Sequence, residues 1–109
     1  MSAPGSEPIL YPSPEESGLD SWYVYMVRCR DNSLYTGITT DLEKRILEHN
    51  CGPKGARYTR GRRPVDLVYY EPAPSRSVAT IREGQIKRLN TYQKSQLVIE
   101  SRPPEQGHS

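Results

Sequence analysis

Between a polar first fifth of the chain and a polar tail, the spacing of apolar residues changes period several times, and each change predicts an element. The run Trp22-Tyr23-Val24-Tyr25-Met26-Val27-Arg28-Cys29 is aromatic and β-branched, which suits a strand buried on both faces. Asp31-Asn32 supplies turn chemistry before a second short run, Ser33 to Gly37, so the two runs predict a hairpin. Thr40-Asp41-Leu42-Glu43 has the S/T-x-x-E form of a capping box, with Thr40 as the cap of a helix that runs to about Asn50 and ends at Cys51-Gly52-Pro53. In Lys54 to Arg63, KGARYTRGRR, two glycines argue for a mobile loop rather than a helix. Val65 to Tyr70 reads as a third strand. Ser77 to Leu89 reads as a second helix capped by Ser75 or Ser77, in which Gly84 costs about 1 kcal/mol relative to Ala. A last short helix is expected from Tyr92 to Glu100. The order β-β-α-β-α-α predicts an α+β fold, a small antiparallel sheet with helices packed on it.

A length of 109 residues leaves room for one core. Residues 1–21 carry Pro4, Pro8, Pro12 and Pro14 and four acids, with too few apolar groups to repay the entropy of ordering; residues 101–109 are equally polar. The expected organisation is a disordered, acidic, Pro-rich leader over 1–21, one domain over 22–100 and a disordered tail over 101–109. No window approaches the roughly 18 apolar residues of a membrane span. Residues 1–21 also lack the Lys or Arg of a signal n-region, so the expectation is a soluble cytoplasmic chain with no membrane partner. Cys29 and Cys51 have no C-x-x-C partner and make a poor zinc site; a disulfide between them is possible but unsupported. Charge changes the picture once it is divided. The whole chain is +2, but residues 22–100 hold 14 Lys and Arg against 8 Asp and Glu, a net of +6.

Two helices carry residues that a simple core does not explain. At about 100° per residue, with Leu42 at zero, Ile46 falls near +40°, His49 near −20° and Arg45 near −60°. A guanidinium on that stripe needs a buried acceptor, a snorkelling route or an anionic ligand. With Ala79 at zero, Glu83 lies near +40° and Ile86 near −20°, which sets a carboxylate inside the second apolar arc. The plainer account is an Arg45–Glu83 salt bridge across the sheet, with His49 a satisfied core imidazole and the strand tyrosines chosen for β-propensity. Convergence of tyrosines, Arg45, His49 and Glu83 on one pocket beside a basic loop is the functional account. A two-metal nuclease would need more carboxylates than this, so one ion is the ceiling; Mg²⁺ tolerates a sparse site completed by substrate phosphate, and Glu83 is its candidate anchor. No phosphate-binding P-loop, nucleophile elbow or dinucleotide glycine pattern is present. The basic loop (Lys54, Arg57, Arg60, Arg62 and Arg63 around Tyr58) suits contacts to a nucleic-acid backbone with an aromatic stack, or is merely a solvated charge run.

Taken in order, Tyr23-Val24-Tyr25, then nine residues, then Tyr35-Thr36-Gly37, then Arg45-Ile46-Leu47-Glu48-His49, then Glu83, closely resemble the GIY-YIG nuclease family, most of all its short stand-alone members. The resemblance covers about residues 22–100. It implies a three-stranded antiparallel sheet flanked by helices and cleavage of DNA phosphodiesters with one divalent ion, Mg²⁺ or Mn²⁺. By position, Tyr25, Tyr35, Arg45, His49 and Glu83 match the family's catalytic residues, Glu83 the metal ligand and Gly37 the motif glycine. Tyr23, Val24 and Thr36 depart from the name-giving letters, and both functional tyrosines remain. The family's further polar residue near the domain end is unassigned, since Asn90 is nearby without a spacing that warrants it. Tyr25 is the candidate general base. Its ordinary pKa of about 10 calls for help from a neutral His49, or from Arg45 and the metal, with Tyr35 orienting water; the tyrosines can also exchange roles. No appended base-reading domain is visible, so structure-dependent or weakly selective cleavage is expected, in DNA repair or processing. RNA stays open beside DNA, and a non-catalytic binding module or an adaptor for a partner nuclease is the competing class.

Overall fold

In a computed structural model, which describes residues 21–101, strand β1 (Trp22–Arg28) and strand β2 (Leu34–Thr39) form the hairpin. Helix α1 (Leu42–Asn50), short helix α2 (Arg57–Arg60), strand β3 (Asp66–Ala73), helix α3 (Arg76–Lys87) and helix α4 (Thr91–Ser101) follow. The sheet is antiparallel throughout, in the order β2-β1-β3. This α+β architecture is the expected one. The central place of β1 explains its uninterrupted apolar run, because Tyr23 to Val27 are buried from both sides.

The hairpin turn is closed by Asp31, whose carboxylate accepts from the Ser33 amide at 3.0 Å, while Asn32 takes the left-handed backbone that Asn tolerates. Asp41, not Thr40, caps α1. Its carboxylate accepts from the Lys44 amide at 3.1 Å, and Thr39 Oγ1 accepts from the Asp41 amide, so the helix starts one residue later than the capping-box letters suggest. Ser75 Oγ caps α3 by accepting from the Val78 amide at 3.2 Å. Asn90 and Gln93 bond reciprocally through side chain and backbone at the start of α4, which gives Asn90 a capping role. Strand β3 continues past Tyr70 to Ala73, through Pro72, because it is an edge strand and one side of it needs no amide donor.

Each face of the sheet has its own core. On one, Tyr23, Tyr25 and Val27 meet Leu42 and Ile46 of α1, with Cys29 and Val65. On the other, Val24, Met26, Tyr69 and Ala73 meet Ala79 and Ile86 of α3 and Val98 of α4. Cys29 is buried, Cys51 exposed, and both are free thiols. Among the described residues no helix is long and apolar enough to cross a membrane.

Candidate active site

Period two along β1 places Tyr25 on the α1 face, directly opposite Gly37 of β2 and Tyr70 of β3. The phenol lies over the backbone of β2. A Cβ added at Gly37 would stand 2.6 Å from Tyr25 Oη, so the motif glycine is required by close approach of the ring rather than by backbone angle. His49, in the last turn of α1, meets Tyr25 with Nε2 at 2.7 Å from Oη, and both residues are almost wholly buried, at 0% and 1% exposure. On its other side the imidazole places Nδ1 2.9 Å from Thr59 Oγ1. Tyr35 sets its ring edge-on to His49 and stacks on Tyr58.

Burial pushes the Tyr25 phenol up to about 12; Arg45 acts against this, and the nearby Tyr35 and Glu83 add to it. Tyr35, Arg45 and Glu83 thus all act electrostatically on one hydroxyl. Burial also pushes the His49 imidazole down to about 4, with the positive charges of Arg45 and Arg63 adding to the effect and Glu48 opposing it, so the ring is neutral near pH 7. Arg45 does not bridge to Glu83. Its Nη1 pairs with Glu48 at 3.0 Å and donates to the Lys54 carbonyl at 2.9 Å, while Glu83 pairs with Lys87 at 3.2 Å. The Arg45–Glu83 salt bridge is therefore corrected, because each helix supplies its own partner one turn away.

The segment 54–63 also differs from the expected loop. Arg57–Arg60 forms the short helix α2, and Gly55 lets it approach α1: a Cβ there would stand 2.7 Å from the Glu48 carbonyl oxygen. Arg63 is used internally, donating from Nε to the His49 carbonyl and from Nη2 to the Gly52 carbonyl, both at 2.6 Å, so it caps the C-terminus of α1. Arg62 pairs with Asp31 at 3.0 Å and lies 3.9 Å over the Tyr58 ring. A base stacking on Tyr58 has to compete with these neighbours. Lys54, Arg57 and Arg60 are the exposed cations of the segment. Thr59 and the capping role of Arg63 went unnoticed in the sequence. An apolar-face His ten residues before a Thr carries no signal until α2 is known to fold back.

Among the described residues no group of three or more His, Cys, Asp or Glu is placed to hold a metal. These residues do not fit a metal caged by protein alone; a single hard cation completed by substrate oxygens would need one carboxylate, and Glu83 would have to exchange its Lys87 partner for it.

This geometry, a tyrosine on a central strand facing a motif glycine with a helical Arg and His beside it, defines a nuclease-type α+β domain. The chain belongs to the GIY-YIG family: the family model, GIY-YIG catalytic domain, matches residues 21–96. A UPF0213 protein of Desulfotalea psychrophila is 54% identical over 83 residues, covering 76% of each chain. The solution NMR structure of a UPF0213 protein from Bacillus halodurans has a TM-score of 0.50 at 44% identity, covering 77% of this chain and 88% of that one. A second NMR structure, from E. faecalis, has a TM-score of 0.53 at 33% identity, covering 84% and 99%.

Proposed function

We propose that the protein is a divalent-metal-dependent DNA endonuclease that hydrolyses phosphodiester bonds with structure-dependent or weak sequence selectivity, in DNA repair or processing. The observation that carries this reading is the buried 2.7 Å hydrogen bond between Tyr25 and a neutral His49, with the charges of Arg45 and Glu83 acting on the same hydroxyl. Catalytic roles fall to Tyr25, Tyr35, Arg45, His49 and Glu83.

A phenol with a pKa of about 12 is ionised to only about one part in 10⁵ near neutrality, so in the protein alone a free phenolate is scarce. A concerted relay avoids it. As water attacks phosphorus, its proton passes to Tyr25 Oη while the Tyr25 proton passes to His49 Nε2; the P–O bond to the leaving oxygen breaks, and that oxygen takes a proton from solvent. Arg45 neutralises phosphate charge, and a phosphate bound there cancels the charge that helps hold His49 down, which makes the imidazole a better acceptor when substrate is present. Tyr35 orients the water. Glu83 would hold the divalent ion, Mg²⁺ or Mn²⁺, which when bound would supply positive charge to the phosphate. Lys54, Arg57 and Arg60 supply backbone contacts, with Tyr58, Arg62 and Arg63 shaping the surface that bears them.

Burial of Tyr25 to 1% exposure favours a second reading, a non-catalytic nucleic-acid-binding module or adaptor for a partner nuclease, because water has to reach Oη. Cleavage assays on duplex, nicked, flapped and branched DNA, and on matching RNA, separate the two. Metal-dependent cleavage that Glu83→Ala lowers by on the order of 10³-fold, with DNA affinity kept, supports the nuclease. Salt-sensitive binding without turnover supports the module.

A further inference from the structure

Two polar groups beyond the matched motif, the buried Thr59 hydroxyl and the half-buried Ala56 carbonyl, complete a chain of hydrogen bonds that begins at Tyr25. Thr59 has 0% exposure, and its hydroxyl lies 2.9 Å from His49 Nδ1 and 2.9 Å from the Ala56 carbonyl oxygen. A carbonyl oxygen only accepts. A hydroxyl has one proton, so a threonine that donates to Ala56 can only accept from the imidazole. Proton accounting from the other end gives the same direction. Arg45, near the phenol, has donors alone, and His49 Nε2, at 2.7 Å, is an atom able to accept from Tyr25 Oη when it carries no proton. A buried hydroxyl proton without an acceptor costs about 1–3 kcal/mol, which favours the tautomer with Nε2 bare. The Ala56 amide also approaches Nδ1, at 3.4 Å, and would favour the reverse tautomer; it is longer than ordinary N–H hydrogen bonds and weighs less than the 2.7 and 2.9 Å contacts.

We infer that Thr59 is a positioning residue that holds neutral His49 in its Nδ1–H tautomer, so that Nε2 presents its lone pair to the Tyr25 hydroxyl and can receive that proton. The direction runs Tyr25 to His49 to Thr59 to the Ala56 carbonyl. The segment 55–63 is thereby a clamp on the imidazole. Thr59 holds the ring, Arg63 holds the backbone of the same residue, and Gly55 permits the approach. Reversal of the tautomer would turn His49 into a donor to Tyr25 and leave it unable to take the proton. The inference deepens the nuclease reading and rests on it for its kinetic consequence, but the tautomer itself is a property of the folded protein without substrate.

The test is long-range ¹H–¹⁵N correlation NMR of the imidazole in a His108→Gln background, which leaves His49 as the one histidine, at pH 7. Wild-type Thr59 is expected to give a protonated Nδ1 and a bare Nε2; Thr59→Ser keeps that pattern, and Thr59→Val loses it. In turnover, Thr59→Val is expected to lower kcat on the order of 10²-fold with KM within about twofold, and Thr59→Ser to restore most of the rate. A protonated Nε2 in the wild-type protein overturns the inference, whatever the variants do. So does a folded Thr59→Val with an unchanged tautomer. Absence of nuclease activity with the expected tautomers overturns the nuclease reading and leaves the hydrogen-bond assignment standing.

Discussion

The two faces of the sheet bury comparable sets of side chains and use them differently. Against α3 and α4 the filling is mainly hydrocarbon: Val24, Met26, Ala79, Ile86 and Val98 need only volume and shape, and the one buried phenol, Tyr69, turns its hydroxyl to Glu71 of its own strand. Against α1 and α2 the central strand buries Tyr25 beside His49 and Thr59, three polar groups that are tolerable only because each has a partner. One face supplies stability that holds the sheet behind the site. The other accepts a neutral imidazole hydrogen-bonded to a desolvated phenol, a polar pair inside a core. The contrast is possible because a strand points successive residues to opposite sides, so Tyr25 and its neighbours Val24 and Met26 answer to different demands.

The sharpest way to break this contrast is a pair of substitutions. Ile86→Ala on the dry face is expected to cost about 2–5 kcal/mol in urea unfolding while leaving turnover per folded molecule within a few fold. Tyr25→Phe keeps the ring, costs about 1 kcal/mol by losing one hydrogen bond, and should abolish cleavage. Equal stability losses, or activity lost with Ile86 alone, would mean the faces are not specialised.

A pH series sharpens the same point. His49 has a folded pKa of about 4 against an ordinary 6.5, so between those values the unfolded chain binds the proton and the folded chain does not. Stability from this group is therefore full above pH 6.5 and falls as pH drops toward 4, by up to about 3 kcal/mol, and then levels off. Urea midpoints measured from pH 7.5 to 4 should show this slope. His49→Gln should remove it, and Ile86→Ala should leave it intact.

The smallest expected effect lies in the basic segment. Arg57→Ala and Arg60→Ala should each lower the slope of log Kd against log salt by about 0.9 for duplex DNA, without changing stability by more than about 0.5 kcal/mol. Arg63→Ala should behave oppositely, lowering stability through the exposed end of α1 with little change in salt slope. Arg62 stands between them, tied to Asp31 and Tyr58.

Much of this was legible in the chain because the signals are local. The apolar run of β1, the turn at Asp31-Asn32 and the placement of Leu42, Ile46 and His49 on one face of α1 follow from period and propensity, and all three stand in the structure. Arg45 and Glu83 stood out because a charge on an apolar stripe needs a reason. Capping was less legible, since Thr40 and Asp41 are both good caps and the Thr39 hydroxyl, bonded to the Asp41 amide, decides between them. The KGARYTRGRR segment was read through its glycines and charges alone, and α2 forms there against expectation because its burial against α1 outweighs four residues of modest propensity.

The sequence by itself determined the three strands, the three longer helices and the family, since those depend on spacing within single elements and on an ordered motif. Only the tertiary structure decided which residues touch. That Arg45 answers to Glu48 rather than Glu83, that Arg63 closes α1 instead of facing outward, and that Thr59 stands behind His49 are facts of long-range packing. A hydrogen bond is fixed to a few tenths of an ångström by the helices and strands that carry its two ends, and no periodicity within one element encodes where another will lie.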